Sequence, residues 1–162
     1  MTEQPILIAS DHAGYEMKEA LKLCLAERGL AVVDLGPDSQ ESVDYPDYAA
    51  KVASAVSRGE ASRGILICAT GLGMSIVANR FPGVRAALCY HPSAARLSRE
   101  HNDSNIVVLG GRMLGKDLAW EIVEVWLSTP FVGGRHERRL RKVRELEAEL
   151  GKGQVSDRGE VK

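Results

Sequence analysis

Gly64-Ile65-Leu66-Ile67-Cys68-Ala69-Thr70-Gly71-Leu72-Gly73-Met74-Ser75 is the stretch that decides the fold. Ile65 to Cys68 is a continuous apolar run with no polar alternation. Such a run fits a strand buried on both faces, as in a parallel sheet. A glycine-rich turn follows, and a helix is predicted after it. Thr70 to Ser75 thus joins a buried strand to a helix N-terminus, where free N–H groups face outward.

The same kind of run recurs at Ile6 to Ala9, Ala31 to Val33, Ala86 to Cys89 and Ile106 to Leu109. Helical spacing lies between them. Met17, Ala20, Leu21, Cys24 and Leu25 repeat at three and four, and Gly29 stops them. Tyr48, Ala49, Val52, Ala53 and Val56 repeat likewise before Gly59, with Asp44 or Tyr45 opening the helix and Pro46 in its first turn. Pro92 starts a helix that ends near His101, and Leu118, Ile122 and Val125 line another. Strand alternating with helix predicts one Rossmann-like α/β sandwich with a five-stranded parallel sheet. A final helix, about Arg135 to Leu150, carries only a thin stripe of Leu140, Val143, Leu146 and Leu150. It buries too little to be stable alone, so it is expected to pack on a second subunit. Residues 1–150 read as one domain and 151–162 as a disordered tail.

The chain has 162 residues and a formal net charge of −1. That length suits one domain, and that charge gives no pull toward nucleic acid or membrane. No apolar run is long enough to span a bilayer. Met1 to Pro5 lacks the features of a signal peptide, so a cytoplasmic location is expected. Cys24, Cys68 and Cys89 form neither a disulfide framework nor a zinc motif.

Ligands of open α/β sheets bind beyond the carboxyl ends of the strands. There the sequence places Asp11 and His12 after the first run, Thr70 to Ser75 after the third, Tyr90 and His91 after the fourth, and Gly110, Gly111 and Arg112 after the fifth. The glycine-rich turn reads as an anion hole or as a tight connection. A nicotinamide fingerprint fails, because Ile76 stands where its third glycine belongs. Cys68 is either a thiolate base near a helix N-terminus or a core cysteine; Cys24 and Cys89 read as core. Asp11 with His12 can bind hydroxyls and move protons, or Asp11 can cap the first helix. His101 is a general acid or a cation at a helix end; His91 and His136 have less support. Arg135 and Arg139 share a helical face and can grip a phosphate, or they are simply solvated. Nucleic-acid binding is discounted, since no aromatics interleave with these charges.

Six ordered segments carry a resemblance over residues 6 to 150. They are Ser10 to Gly14, Asp44 to Ala49, Gly64 to Ser75 with Ala78 to Arg80, Ser98 to Asn105, Gly110 to Arg112, and Gly133 to His136. The chain resembles the type B ribose-5-phosphate isomerases, whose family also includes galactose- and allose-6-phosphate isomerases. The resemblance implies interconversion of D-ribose 5-phosphate and D-ribulose 5-phosphate through a cis-enediolate. It implies Cys68 as the base, and His101 as proton donor in ring opening, helped by Asp11 and Thr70. Asp11 and His12 match sugar-binding positions. Ala69, Thr70, Gly71, Leu72 and Gly73 match the loop around the enediolate oxygens. Asn102, Arg112, Arg135 and Arg139 match substrate positions, the arginines mainly for phosphate. It further implies no metal or cofactor, and homodimers, some assembled into tetramers, with active sites at the subunit interface. A six-carbon sugar phosphate is the alternative substrate, and a non-catalytic sugar-phosphate sensor the alternative of another class.

Overall fold

The five apolar runs become the strands of one sheet: β1 (Ile6–Ser10), β2 (Val32–Asp34), β3 (Gly64–Cys68), β4 (Ala86–Leu88) and β5 (Ile106–Gly110). The computed structural model describes residues 4–156. The strand order is β2-β1-β3-β5-β4, and every pairing is parallel. The connections are α1 (Tyr15–Glu27), α2 (Tyr45–Ser57), α3 (Leu72–Ala78) and α4 (Pro92–Asn102); α5 (Lys116–Ser128) and α6 (Arg135–Ser156) follow β5.

Alternate residues of each strand face opposite sides, as the strand period requires. Ile6, Ile8, Ile65, Ile67, Val107 and Leu109 pack with Met17, Leu21 and Leu25 of α1 and with Ile122, Val123 and Trp126 of α5. Leu7, Ala9, Leu66, Cys68, Ile106 and Val108 pack with Val52, Ala53 and Val56 of α2 and Met74 of α3. Both sheet faces are therefore covered, and the purely apolar strands have their explanation.

The chain runs from β1 outward to β2, then returns to β3 on the other side of β1. The crevice between the carboxyl ends of β1 and β3 is the switch point, where such sheets take their ligands. Asp11 and the Thr70 turn flank it.

Several expectations shift. The buried face of α5 is Ala119, Ile122, Val123 and Trp126, and Leu118 lies off it, exposed. Cys89 is buried as read, but Cys24 is only half-buried. On α6 Leu140 is buried, whereas Val143, Leu146 and Leu150 stay exposed within this chain. The helix also runs past Leu150 to Ser156; the rest of the expected tail, 157–162, lies outside the described residues.

Candidate active site

Cys68 ends β3 with its side chain buried, and the turn after it folds back onto its sulfur. Gly71 N–H donates to Cys68 Sγ at 3.1 Å. That turn needs glycine: Gly71 has φ +81, and a Cβ there would lie 2.5 Å from Leu88 Cδ1 and 3.0 Å from the Leu109 carbonyl oxygen. The loop is pressed against the end of β5, whose Gly111 and Arg112 N–H groups donate to the carbonyls of Cys68 (2.8 Å) and Ala69 (3.0 Å).

The amides of the glycine-rich turn point two ways. Gly71 N–H serves the sulfur, because the left-handed turn aims it backward, and Leu72 N–H donates to Thr70 Oγ1 at 3.3 Å. Gly73 and Met74 sit in the first turn of α3, where an amide has no acceptor within its own helix. The ring of Tyr45 lies over Gly73, 2.7 Å from where a Cβ would stand.

Asp11 is buried. Its Oδ1 accepts from Gly14 N–H at 2.9 Å, tying the start of α1; the other oxygen has no bond to a described donor. Gly14 is pressed so close to β3 that a Cβ would meet the Ile67 carbonyl oxygen at 2.5 Å. His12 is held by its Nδ1, 3.2 Å from both the N and O of Val43. His12 and Arg112 line one pocket of about 370 Å³ with Glu16, Gln40 and Lys116. Gln40 and Lys116 escaped the sequence reading, because each lies in or next to a segment with no local motif; Tyr45 was read only as a helix start.

His101 and Asn102 lie elsewhere. They end α4, which starts after β4 at the carboxyl edge and returns to the amino edge of the sheet. Eleven helical residues carry the chain roughly 15 Å. At that far edge the Asn102 carbonyl accepts from Arg85 Nε at 3.0 Å, just before β4 begins. The start of α6 joins them: His136 stacks on His101 with ring centroids 4.1 Å apart, and Arg135 Nε approaches His136 Nε2 at 3.4 Å. His136 is buried, and its pKa is pushed below the ordinary value, first by that burial and then by the charges of His101, Arg135 and Arg139. Among the described residues no carboxylate pairs with Arg112, Arg135 or Arg139. The sequence-named residues thus fall into two groups, one at each edge of the sheet.

Among the described residues no group of three or more His, Cys, Asp or Glu side chains is placed to hold a metal ion. Nor is any described helix long and apolar enough to cross a membrane.

Residues 6–143 match the sequence family described as Ribose/Galactose Isomerase. The chain belongs to that family. Ribose-5-phosphate isomerase B of Escherichia coli K12 is 46% identical over 142 residues, spanning 88% of this chain and 95% of that protein. The crystal structure of a ribose 5-phosphate isomerase from Thermotoga maritima matches with 59% identity and TM-score 0.85, covering 87% of this chain and 97% of that one. Ribose-5-phosphate isomerase B of Mycoplasma genitalium, solved with bound ribulose-5-phosphate, matches with 39% identity and TM-score 0.86 over 90% of this chain and 97% of its own. The five-stranded parallel sheet is the fold these isomerases share with this chain.

Proposed function

We propose that this chain interconverts D-ribose 5-phosphate and D-ribulose 5-phosphate, with Cys68 as the base. It is an aldose–ketose isomerase. The observation that carries the assignment of the base is the Gly71 N–H donated to Cys68 Sγ at 3.1 Å. The bond fixes the sulfur at the carboxyl end of β3, beside the switch point where a base must stand.

Sugar phosphates are cyclic for most of the time in water. His101 protonates the ring oxygen while Asp11 removes the proton from the anomeric hydroxyl, and the ring C–O bond breaks to leave the aldehyde. The Cys68 thiolate takes the C2 proton. The C2–H electron pair becomes the C1–C2 double bond, and the carbonyl electrons move onto O1, giving the cis-enediolate. Cys68 then returns its proton to C1 while the proton on O2 passes to O1, so that the C2 carbonyl and the C1 hydroxyl form together. The amides of Gly73 and Met74, with the Thr70 hydroxyl, face the negative oxygens; a donor fixed before charge develops is typically worth about 3 kcal/mol. Arg112, Arg135 and Arg139 hold the phosphate and so place the reacting carbons.

His101 and Cys68 occupy opposite sheet edges, so one substrate meets both only if they come from different chains. A two-fold homodimer supplies this, the carboxyl edge of one copy against the His101 and Arg135 edge of its partner, giving two equal sites. Exposed Leu72 and Ile76 beside the glycine turn, and Val143, Leu146 and Leu150 on α6, are apolar surface suited to that contact. Residues 1–150 form the working unit, in the cytoplasm.

The test is incubation of the purified protein with ribose 5-phosphate, following ribulose 5-phosphate, with Cys68→Ala alongside. Turnover that vanishes in a folded Cys68→Ala variant is expected. Turnover of allose or galactose 6-phosphate alone would change the sugar; C2 proton exchange with solvent in the variant would move the base to another residue.

A further inference from the structure

We propose that Tyr90 is a positioning residue for the Cys68 thiolate, acting through the peptide bond between Thr70 and Gly71. The proposal rests on the reading of Cys68 as the base.

Tyr90 Oη donates to the Thr70 carbonyl oxygen. The N–H of the same peptide unit is that of Gly71, which donates to Cys68 Sγ. One rigid plane is therefore held at both ends, by a phenol on its oxygen and by the sulfur on its hydrogen. Two effects follow. The phenol fixes the plane's rotation, which aims the N–H. Accepting at the carbonyl also polarises the amide and makes its N–H a stronger donor, as in any chain of hydrogen bonds.

The neighbouring carbonyls show why a side chain is needed here. Those of Cys68 and Ala69 are tied back by the Gly111 and Arg112 N–H groups of the chain leaving β5. By Thr70 the loop has turned away from that backbone. Gly110 comes close to the Thr70 oxygen, which a Cβ would meet at 2.8 Å, but supplies no hydrogen bond to it. Tyr90 is the donor that completes the series. It comes from the segment after β4 and reaches across the end of β5. Its ring is partly exposed, so loss of the hydroxyl alone leaves the core unaltered.

The test is Tyr90→Phe, read by the ultraviolet absorbance of the thiolate at neutral pH against a Cys68→Ala background. The Cys68-dependent absorbance is expected to fall, kcat to fall with it, and KM to stay unchanged. A ring-fluorinated tyrosine at position 90 keeps the shape and donates more strongly, so it should move the thiolate signal upward. Unchanged thiolate absorbance in folded Tyr90→Phe protein, or equal signals with the fluorinated ring, overturns the proposal. Full turnover in Cys68→Ala would instead overturn the base assignment, and the absorbance readout distinguishes the two failures.

Discussion

The imidazole rings of His101 and His136 stack face to face, with centroids 4.1 Å apart and planes within 6° of parallel. The pair joins the end of α4 to the start of α6. Burial, then His101, Arg135 and Arg139, disfavour a charge on His136. Its folded pKa is thus depressed, so its contribution to stability is complete above the unfolded value near 6.5 and is lost as pH falls through the folded one. Thermal unfolding followed from about pH 7.5 to about pH 5 should show the wild type losing Tm on the acid side. His136→Phe keeps a flat ring under His101 and cannot titrate, so it should lose less Tm over that range. Equal losses would remove His136 from the acid response.

Gly71 sits where a side chain meets both local strain and a wall. At φ +81 an L-residue costs roughly 1–2 kcal/mol, and pushing Leu88 and the end of β5 aside adds about 1–3 kcal/mol. Gly71→Ala should therefore lower stability by about 3 kcal/mol in chemical denaturation. Any plane shift also turns the N–H away from Cys68, so kcat should fall more than tenfold with little change in KM. A stable, fully active variant would show that the turn can relax without disturbing the sulfur.

Lys18 is fully buried in the core, its Nζ 2.5 Å from Asp34 Oδ2 and its neighbour Lys22 at 2.6 Å from the same oxygen. Burial pushes the Asp34 carboxyl up, but hydrogen bonds from Lys18, Lys22 and the Gly36 N–H outweigh it and hold the pKa below its usual value. The pair's stabilisation is therefore full above the unfolded pKa near 3.9 and fades as pH falls through the folded one. Lys22 and the Gly36 N–H still hold the Asp34 carboxylate in Lys18→Met, so the substitution should cost about 2 kcal/mol at neutral pH, and the difference from wild type should shrink below about pH 4. A deficit that stays constant into acid would mean that packing, and not the ion pair, is what Lys18 provides.

Much of this molecule is legible in its sequence, and the illegible parts have physical reasons. Ile65 to Cys68 and its counterparts declared a parallel sheet because a strand covered on both faces has no polar side to show. Asp11 and the Thr70 turn were legible because switch-point chemistry follows strand ends. Lys18 was not, because it occupies an apolar position in the repeat of α1 and its partner Asp34 lies beyond a loop. His136 was undervalued because its partner is supplied only when α6 folds back onto α4. Tyr90 carried no motif, since its role is a bond to a backbone atom twenty residues earlier. The separation of His101 from Cys68 follows from helix length and was implicit in the spacing of Pro92 to Asn102, though no local pattern announces it.

That separation makes the strongest prediction. If each active site takes Cys68 from one chain and His101 from the other, Cys68→Ala and His101→Ala homodimers each carry two defective sites. A mixed dimer carries both defects in one site and neither in the other. Subunits exchanged at random give half mixed dimers, each with one intact site of two, so equal mixtures should regain about one quarter of wild-type activity. The regain should appear only after conditions that let subunits exchange, and the double variant Cys68→Ala/His101→Ala mixed with wild type should show no such rescue above dilution. Mixtures of the two single variants that stay at the sum of their separate activities, with exchange confirmed by differently tagged chains, would place both residues in one chain's site and would require α4 to reach the carboxyl edge.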